Sequence, residues 1–288
     1  MAAKIELKHV TYAYGRGTPF EVVALDNVDL EIHPGLVTGI IGHTGSGKST
    51  LVRLFNGLEK PESGNVLLDG KDIWENPKEI GKVRFRVGLV MQYPEYQLFE
   101  ETVAKDVAFG PKNLGLSQEE IDERVREAIE LVGLDFETIK DRSPFDLSGG
   151  QKRRVAIAGV VAMRPEVLIL DEPTAGLDPK AHKDVLAMVE EVHRRTGNIT
   201  ILVSHNMADI ARLCDKIIVI DSGKLVTTGT PYEVFSKKDE LRAVGLELPP
   251  VTKFTESLRE RGLQLESTIL DIDQAADQIA AYLKRKAK

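Results

Sequence analysis

The sequence predicts an α/β protein built around a mostly parallel sheet, and three observations carry that reading. Val37-Thr38-Gly39-Ile40-Ile41 is a near-continuous apolar run, the pattern of a strand buried on both faces. Similar runs return at Val167 to Leu170, Ile199 to Val203 and Ile217 to Ile220. Between them lie stretches with helical spacing, and strands alternating with helices argue for parallel βαβ units.

The elements follow in order. Ile5 to Val10, Val28 to Ile32 and Val66 to Leu68 are short strand-like runs bounded by Gly, Pro and Asp-Gly turn signals. Val87 to Met91 is a further strand. After Gln92 the character changes. Ser117-Gln-Glu-Glu120 reads as a capping box, and Ile121, Val125, Ala128, Ile129 and Val132 recur at helical spacing until Gly133 stops them. Residues 93–147 therefore read as a helical insertion. From about Leu246 the pattern changes again: Pro249-Pro250 breaks the chain, two amphipathic helices follow, and Lys284 to Lys288 is a basic tail. Val251, Phe254 and Leu258 form one apolar stripe there, and Ile272, Ala276, Ile279 and Leu283 another.

Composition narrows the function classes. The 288 residues suffice for one large domain with an appendage. No apolar run approaches the roughly 18–20 residues that span a bilayer, and Met1 to Glu6 opens no secretory signal. The single cysteine, Cys214, excludes an internal disulfide, fits a reducing cytoplasm and reads as a small buried residue. A net charge of −7 argues against nucleic acid as a partner, so any membrane role must run through other proteins.

Gly42-His43-Thr44-Gly45-Ser46-Gly47-Lys48-Ser49-Thr50 matches the phosphate-binding loop pattern in full. Glycines let successive backbone N–H groups turn inward around phosphates, and a helix opening near Lys48 aims its positive end at the same anion. Lys48 is placed for the outer phosphates and Ser49 for Mg2+. Leu51, Leu54 and Phe55 give that helix a core face, and Gly57 ends it.

A second group completes the chemistry. Val167 to Leu170 ends in Asp171 and Glu172, which strand alternation sends in different directions. Asp171 is placed to hold Mg2+ through its water shell, and Glu172 to orient or deprotonate an attacking water. His205 follows Ile199 to Val203, at the carboxyl edge where parallel sheets bind ligands, and suits contact with a γ-phosphate. Gln92 follows another strand at the same edge. Leu147-Ser148-Gly149-Gly150-Gln151 reads as a loop opening a helix that runs to Arg164, with Ser148 as N-cap. That is a second anion-binding surface. One phosphate group does not need two such surfaces unless they share a pocket, so this one is expected to complete a site on another subunit.

These motifs, in this order, resemble the ATPases of ABC transporters over residues 1 to about 245. The resemblance implies a P-loop fold with a mostly parallel central sheet, an antiparallel β subdomain, a helical subdomain at about 93–165 and a C-terminal helical extension at 246–288. It implies a head-to-tail dimer in which ATP lies between the loop 42–50 of one subunit and Ser148, Gly149, Gly150 and Gln151 of the other. Tyr14 would stack on adenine, with Tyr12 a weaker candidate. Lys48, Ser49 and Thr50 would hold phosphate and Mg2+, and Gln92 would link Mg2+ to the helical subdomain. Glu172 would be the catalytic carboxylate, His205 the γ-phosphate sensor, and Asp178 in Ala175-Gly176-Leu177-Asp178 a contact to the opposite subunit. Chromosome-type and translation-type relatives fit poorly, because the chain has one cassette and no long insertion.

A narrower likeness lies in Thr18-Pro19-Phe20-Glu21, Gln92 to Glu101, Ala108 to Asn113 and Arg142 to Leu147. These resemble the ATPases of energy-coupling factor (ECF) importers, and the tyrosine after Gln92 and long C-terminal segment resemble the second of the two ATPases such systems pair. The likeness implies a peripheral subunit at the cytoplasmic face of the cell membrane, energising uptake of vitamins or transition-metal ions. Its partners would be a second ATPase, a transmembrane scaffold docking near Glu95, Glu100 and Glu101, and, indirectly, a substrate-binding membrane subunit. Residues 246–288 would pair the two ATPases.

Overall fold

The computed structural model describes residues 4–286 and contains two sheets. The first is antiparallel, in the order β2-β1-β4-β5, from β1 (Ile5–Tyr14), β2 (Val22–Ile32), β4 (Ser63–Leu68) and β5 (Lys71–Asp72). The second runs β10-β9-β3-β8-β7-β6, from β3 (Val37–Ile41), β6 (Val87–Val90), β7 (Val167–Asp171), β8 (Ile199–Val203), β9 (Lys216–Asp221) and β10 (Lys224–Gly229). Its strands are parallel except β10, which returns antiparallel along β9. The sequence pattern does not reveal β10 or β5; both are half-exposed edge strands without the continuous apolar run that marks a central strand.

Among the described residues, twelve helices surround the sheets: α1 (Lys48–Phe55), α2 (Ile80–Arg86), α3 (Val103–Asn113), α4 (Gln118–Leu131), α5 (Phe136–Ile139), α6 (Gly149–Val161), α7 (Pro179–Thr196), α8 (Met207–Leu213), α9 (Pro231–Ser236), α10 (Lys238–Ala243), α11 (Pro250–Glu260) and α12 (Ile272–Lys286). Every residue of β3, β7 and β8 is buried, because both faces of the six-stranded sheet are covered. One face, through Ile40, Ile169, Ile201 and Ile218, packs with α1 and the antiparallel sheet. The other, through Ile41, Leu168, Leu170 and Leu202, joins a core shared with α3, α4, α6 and α7. Cys214 is free and buried, as expected.

Helix starts follow the chain's own caps. Ser148 accepts from the Gln151 amide at 3.3 Å while the Gln151 side chain accepts from the Ser148 amide at 3.1 Å, a complete capping box at α6. At α4 only half of the expected box forms. Ser117 caps the Glu120 amide, but the Glu120 carboxylate turns down the helix to Arg124 at 2.7 Å. An (i, i+4) ion pair has outcompeted the return hydrogen bond.

The C-terminal segment corrects a boundary. Leu246 and Leu248 are buried in the main core, so the compact cassette continues past residue 245. Beyond it, α11 buries Thr252 and Thr255, and the Thr252 hydroxyl donates to the Ile269 carbonyl at 2.6 Å. The apolar stripes are split: Val251, Leu258 and Ile279 are half-buried, while other positions are open. Phe254 is 55% exposed, Ile272 74% and Leu283 57%.

Candidate functional site

The site is assembled at the carboxyl edge of the parallel strands. The loop 42–47 leaves β3 and enters α1, and Gly47 has φ 109°, where a Cβ would strike the Ala24 carbonyl oxygen at 2.5 Å. Only glycine fits there. Lys48 Nζ donates to the carbonyls of Gly42 at 2.7 Å and His43 at 2.8 Å, so the ammonium is folded back across its own loop. Burial lowers its basicity, with the carboxylates of Glu172 and Asp171 acting in the opposite sense. His43 Nε2 lies 2.7 Å from Asp221 Oδ1 at the end of β9, pinning the loop to the next strand.

The two carboxylates at the end of β7 do diverge. Asp171 is buried and bonded to the Ser49 side chain; burial pushes its carboxyl above the usual range, and the Ser49 bond and Lys48 oppose that rise. Glu172 leaves the strand with φ 52°, and its amide donates to the Val203 carbonyl at 3.0 Å. This left-handed residue turns its carboxylate along the sheet edge, where Oε2 lies 2.7 Å from His205 Nδ1. A non-glycine residue held in that conformation next to a ligand cleft marks a position where local strain is tolerated for geometry.

Gly42, His43, Thr44, Lys48, Glu172 and His205 line one cleft of about 560 Å³. Sequence reasoning missed its other wall, formed by Asn206, Met207 and the segment Gly245 to Leu248 with Pro250. The signal available was Gly245, which ends the last helix of the cassette just before Pro249-Pro250. The donor set suits Mg2+, since one hydroxyl and one carboxylate leave room for water and phosphate oxygens. Among the described residues no cluster of three or more metal-binding side chains exists that would suit a fully protein-ligated ion instead.

Other sequence candidates lie apart from this cleft. Ser148, Gly149, Gly150 and Gln151 open α6 and do not line it. Gln92 is exposed beyond β6 and does not line it either. The two tyrosines are now distinguished. Tyr12 donates to Glu59 at 2.6 Å, and burial with that bond pushes its phenol far above the usual range. Tyr14, 36% exposed, sits edge-on to Tyr12 with its hydroxyl 3.1 Å from Thr50 Oγ1, beside the phosphate loop. Asp178 caps α7, accepting from Lys180 and Ala181 amides at 2.9 and 3.1 Å, and these bonds hold its carboxyl below the usual range.

The acidic patch after Gln92 needs one correction. Glu95 does not rim an open groove: its carboxylate turns inward and takes a two-pronged bond from Arg153, whose side chain is 2% exposed. A buried guanidinium must be paired, and Glu95 is the carboxylate within reach. Glu101 stays exposed beside Lys105 at 2.6 Å, and Tyr96, Phe99, Phe109 and Phe145 remain exposed nearby.

The loop at 42–50, the Asp171/Glu172 strand end, His205 and a separate Ser148–Gln151 helix start define a nucleotide-hydrolysing cassette. The family model described as "ABC transporter" matches residues 25–175, and the chain belongs to that family as an ATP-binding, ATP-hydrolysing cassette. Within it, the chain is similar over nearly its whole length to proteins named energy-coupling factor transporter ATP-binding protein EcfA2. The protein of that name from Caldanaerobacter subterraneus subsp. tengcongensis is 53% identical over 280 residues, covering 97% of this chain and 98% of the relative. That from Clostridium tetani is 51% identical over 283 residues, covering 98% of each. Among solved structures, CbiO1 of Clostridium perfringens, part of the ABC transporter complex CbiONQ, superposes with a TM-score of 0.74 at 41% identity, covering 88% of this chain and 98% of that one. A bacterial ABC transporter cassette solved as a dimer gives 0.69 at 31% identity, covering 79% and 98%. No helix among the described residues is long and apolar enough to cross a membrane.

Proposed function

We propose that this chain is the second-type ATPase of an ECF importer, binding and hydrolysing ATP to drive uptake of a vitamin or transition-metal ion. The single observation that carries the reading is the convergence of Lys48, Glu172 and His205 on one cleft that excludes the chain's own Ser148–Gln151 surface. A head-to-tail partner ATPase supplies the missing surface, and the partner's cleft receives this chain's.

In that sandwich the loop amides of Gly42 to Thr50 and the N-terminus of α1 bind the phosphates, and Lys48 swings from the carbonyls of Gly42 and His43 to the outer ones. Tyr14 stacks on adenine; Tyr12, held by Glu59, does not. Ser49 and Asp171, with Gln92, would hold Mg2+, which would supply charge neutralisation at the phosphate oxygens. Glu172 accepts a hydrogen bond from the attacking water and orients it in line with the γ-phosphate. His205 holds the Glu172 carboxylate and meets the γ-phosphate. Asp178 fixes the start of α7 where the partner subunit approaches.

Two surfaces carry the assembly. The exposed apolar positions of α11 and α12, Phe254, Ile272 and Leu283, pair with the other ATPase and keep the two joined when the nucleotide sites open. The aromatic surface of Tyr96, Phe99, Phe109 and Phe145, with Glu100 and Glu101 beside it, receives a scaffold helix carrying an apolar face and an arginine. The subunit is thereby peripheral at the cytoplasmic face. The test is the double variant Glu100→Lys, Glu101→Lys, purified with its membrane partners. Uptake or co-purification with the scaffold is lost while the ATPase pair still hydrolyses ATP; normal uptake with normal co-purification defeats the docking surface.

A further inference from the structure

Arg153 is among the largest side chains that the fold buries completely, at 1% exposure, and neither phosphate binding nor a core packing role explains a charge there. It stands near the start of α6, just past Gln151. Its Nε and Nη2 donate to the Glu95 carboxylate at 3.1 and 2.8 Å, and its Nη1 donates to the carbonyls of Pro173 at 3.1 Å and Ala175 at 2.7 Å. The Tyr93 ring lies 6.0 Å from the guanidinium, and a Cβ on Gly176 would come within 3.7 Å of the same ring. One planar fork thus ties together three pieces of chain. They are the loop after Gln92, the helix that opens at Ser148, and the loop that follows Glu172 toward Asp178.

Those three pieces have separate business. The loop 93–101 carries the surface assigned above to the membrane scaffold, the start of α6 faces the partner's nucleotide, and residues 173–178 leave the hydrolytic carboxylate. Apolar packing would join them loosely, whereas a guanidinium fixes both direction and distance to a carboxylate and two carbonyls. Removed from water, such a group has no alternative partners, so none of the three pieces shifts without the others following or the charge being left unpaired. The loop geometry agrees: Tyr93 is held at φ 54°, a left-handed position that turns the loop inward so that Glu95 meets Arg153.

We propose that Arg153 is a positioning residue, the pivot that transmits nucleotide closure at Glu172 and Ser148–Gln151 to the loop 93–101. The proposal deepens the transporter reading, since it rests on that loop being the docking surface for its functional meaning. It is distinct from that reading in what it requires: the link exists within this chain, whether or not a scaffold is bound.

The test is hydrogen exchange on the full chain paired with its ATPase partner, with and without ATP and Mg2+, followed at peptides covering 42–50 and 93–101. In the unaltered protein both peptides slow on adding nucleotide. In Arg153→Lys, one ammonium replaces the fork; the 42–50 peptide still slows, while the ATP-dependent change at 93–101 falls about tenfold or more, the range of ordinary site-to-site coupling. In the reconstituted transporter the same variant hydrolyses ATP with less substrate moved per ATP. Glu95→Gln, which keeps Arg153 and its carbonyl bonds, gives the same selective loss and decides the question should Arg153→Lys fail to fold. An ATP response at 93–101 that is absent in the unaltered protein, or preserved in these variants, overturns the proposal. So does a parallel fall of hydrolysis and transport that leaves their ratio unchanged. Failure of the Glu100/Glu101 variant to disturb docking would leave the exchange result standing, so the two readings fail separately.

Discussion

Replacing Glu172 with glutamine separates catalysis from folding, and the structure sets both magnitudes. The amide has the shape of the carboxylate, and the backbone of residue 172 is fixed independently by its bond to Val203 at 3.0 Å, so the loop geometry survives. Its side-chain partner among the described residues is His205, whose side chain is 74% exposed; a contact so open to water contributes less than about 1 kcal/mol to stability. Melting should therefore shift by no more than a few degrees. Turnover responds differently. A positioned general base contributes roughly 10²–10⁴-fold, so kcat for ATP should fall by that factor, about 2.7–5.5 kcal/mol in the barrier. ATP binding persists, because Lys48 and the loop amides are untouched, and the nucleotide-sandwich dimer accumulates. Phosphate release at saturating ATP measures the first effect, size-exclusion chromatography the second, and thermal melting controls for the fold. Turnover within a few-fold of the unaltered protein, with melting unchanged, would remove Glu172 from the role of base.

Other outcomes follow from the same geometry. Burial raises the Asp171 carboxyl, so the folded chain binds that proton more tightly than the unfolded chain does. The ionised group therefore costs stability, and this cost appears as pH rises through the folded value and is absent in acid. Asp171→Asn should raise the melting temperature of the nucleotide-free protein at neutral pH, and the gain should shrink as pH falls. The same variant should lose the extra stabilisation that Mg2+ gives to the ATP-bound form; a variant less stable than the parent at neutral pH refutes the argument. Phe254→Asp with Leu283→Asp alters exposed positions only, so each subunit should melt within about 0.5 kcal/mol of its parent. Association with the partner ATPase in the absence of nucleotide should weaken by about tenfold or more, read by sedimentation, and unchanged association would free these stripes from the pairing role.

Much of the candidate site was legible in the chain because its geometry is local. A loop that wraps phosphate must place its glycines, lysine and serine at fixed steps, and the run from Gly42 to Thr50 does so within a single strand-to-helix turn. That Asp171 and Glu172 point to different partners follows from their adjacency alone, since a strand end sends neighbours apart. The fully buried strands were equally plain from Val37 to Ile41 and Ile199 to Val203. The edge strand Lys224–Gly229 was not, because half-exposed strands lack that continuous pattern.

What the sequence by itself determined is therefore the set of short-range devices: the phosphate loop, the paired acids, the cap at Ser148 and the central strands. Tertiary structure alone decided where long-range partners fall. Glu95 reads as one more surface acid until the fold brings Arg153, on a helix far along the chain, within 2.8 Å of it. Tyr12 stands beside Tyr14 as a weaker candidate on paper until Glu59 claims its hydroxyl. Leu246 and Leu248 belong to the core, and Phe254 and Leu283 do not, although all four are apolar. The physical reason is the same in each case. Spacing along the chain fixes which way a side chain leaves its own element, but the cost of burying a charge or exposing an apolar group depends on what the rest of the fold brings opposite it.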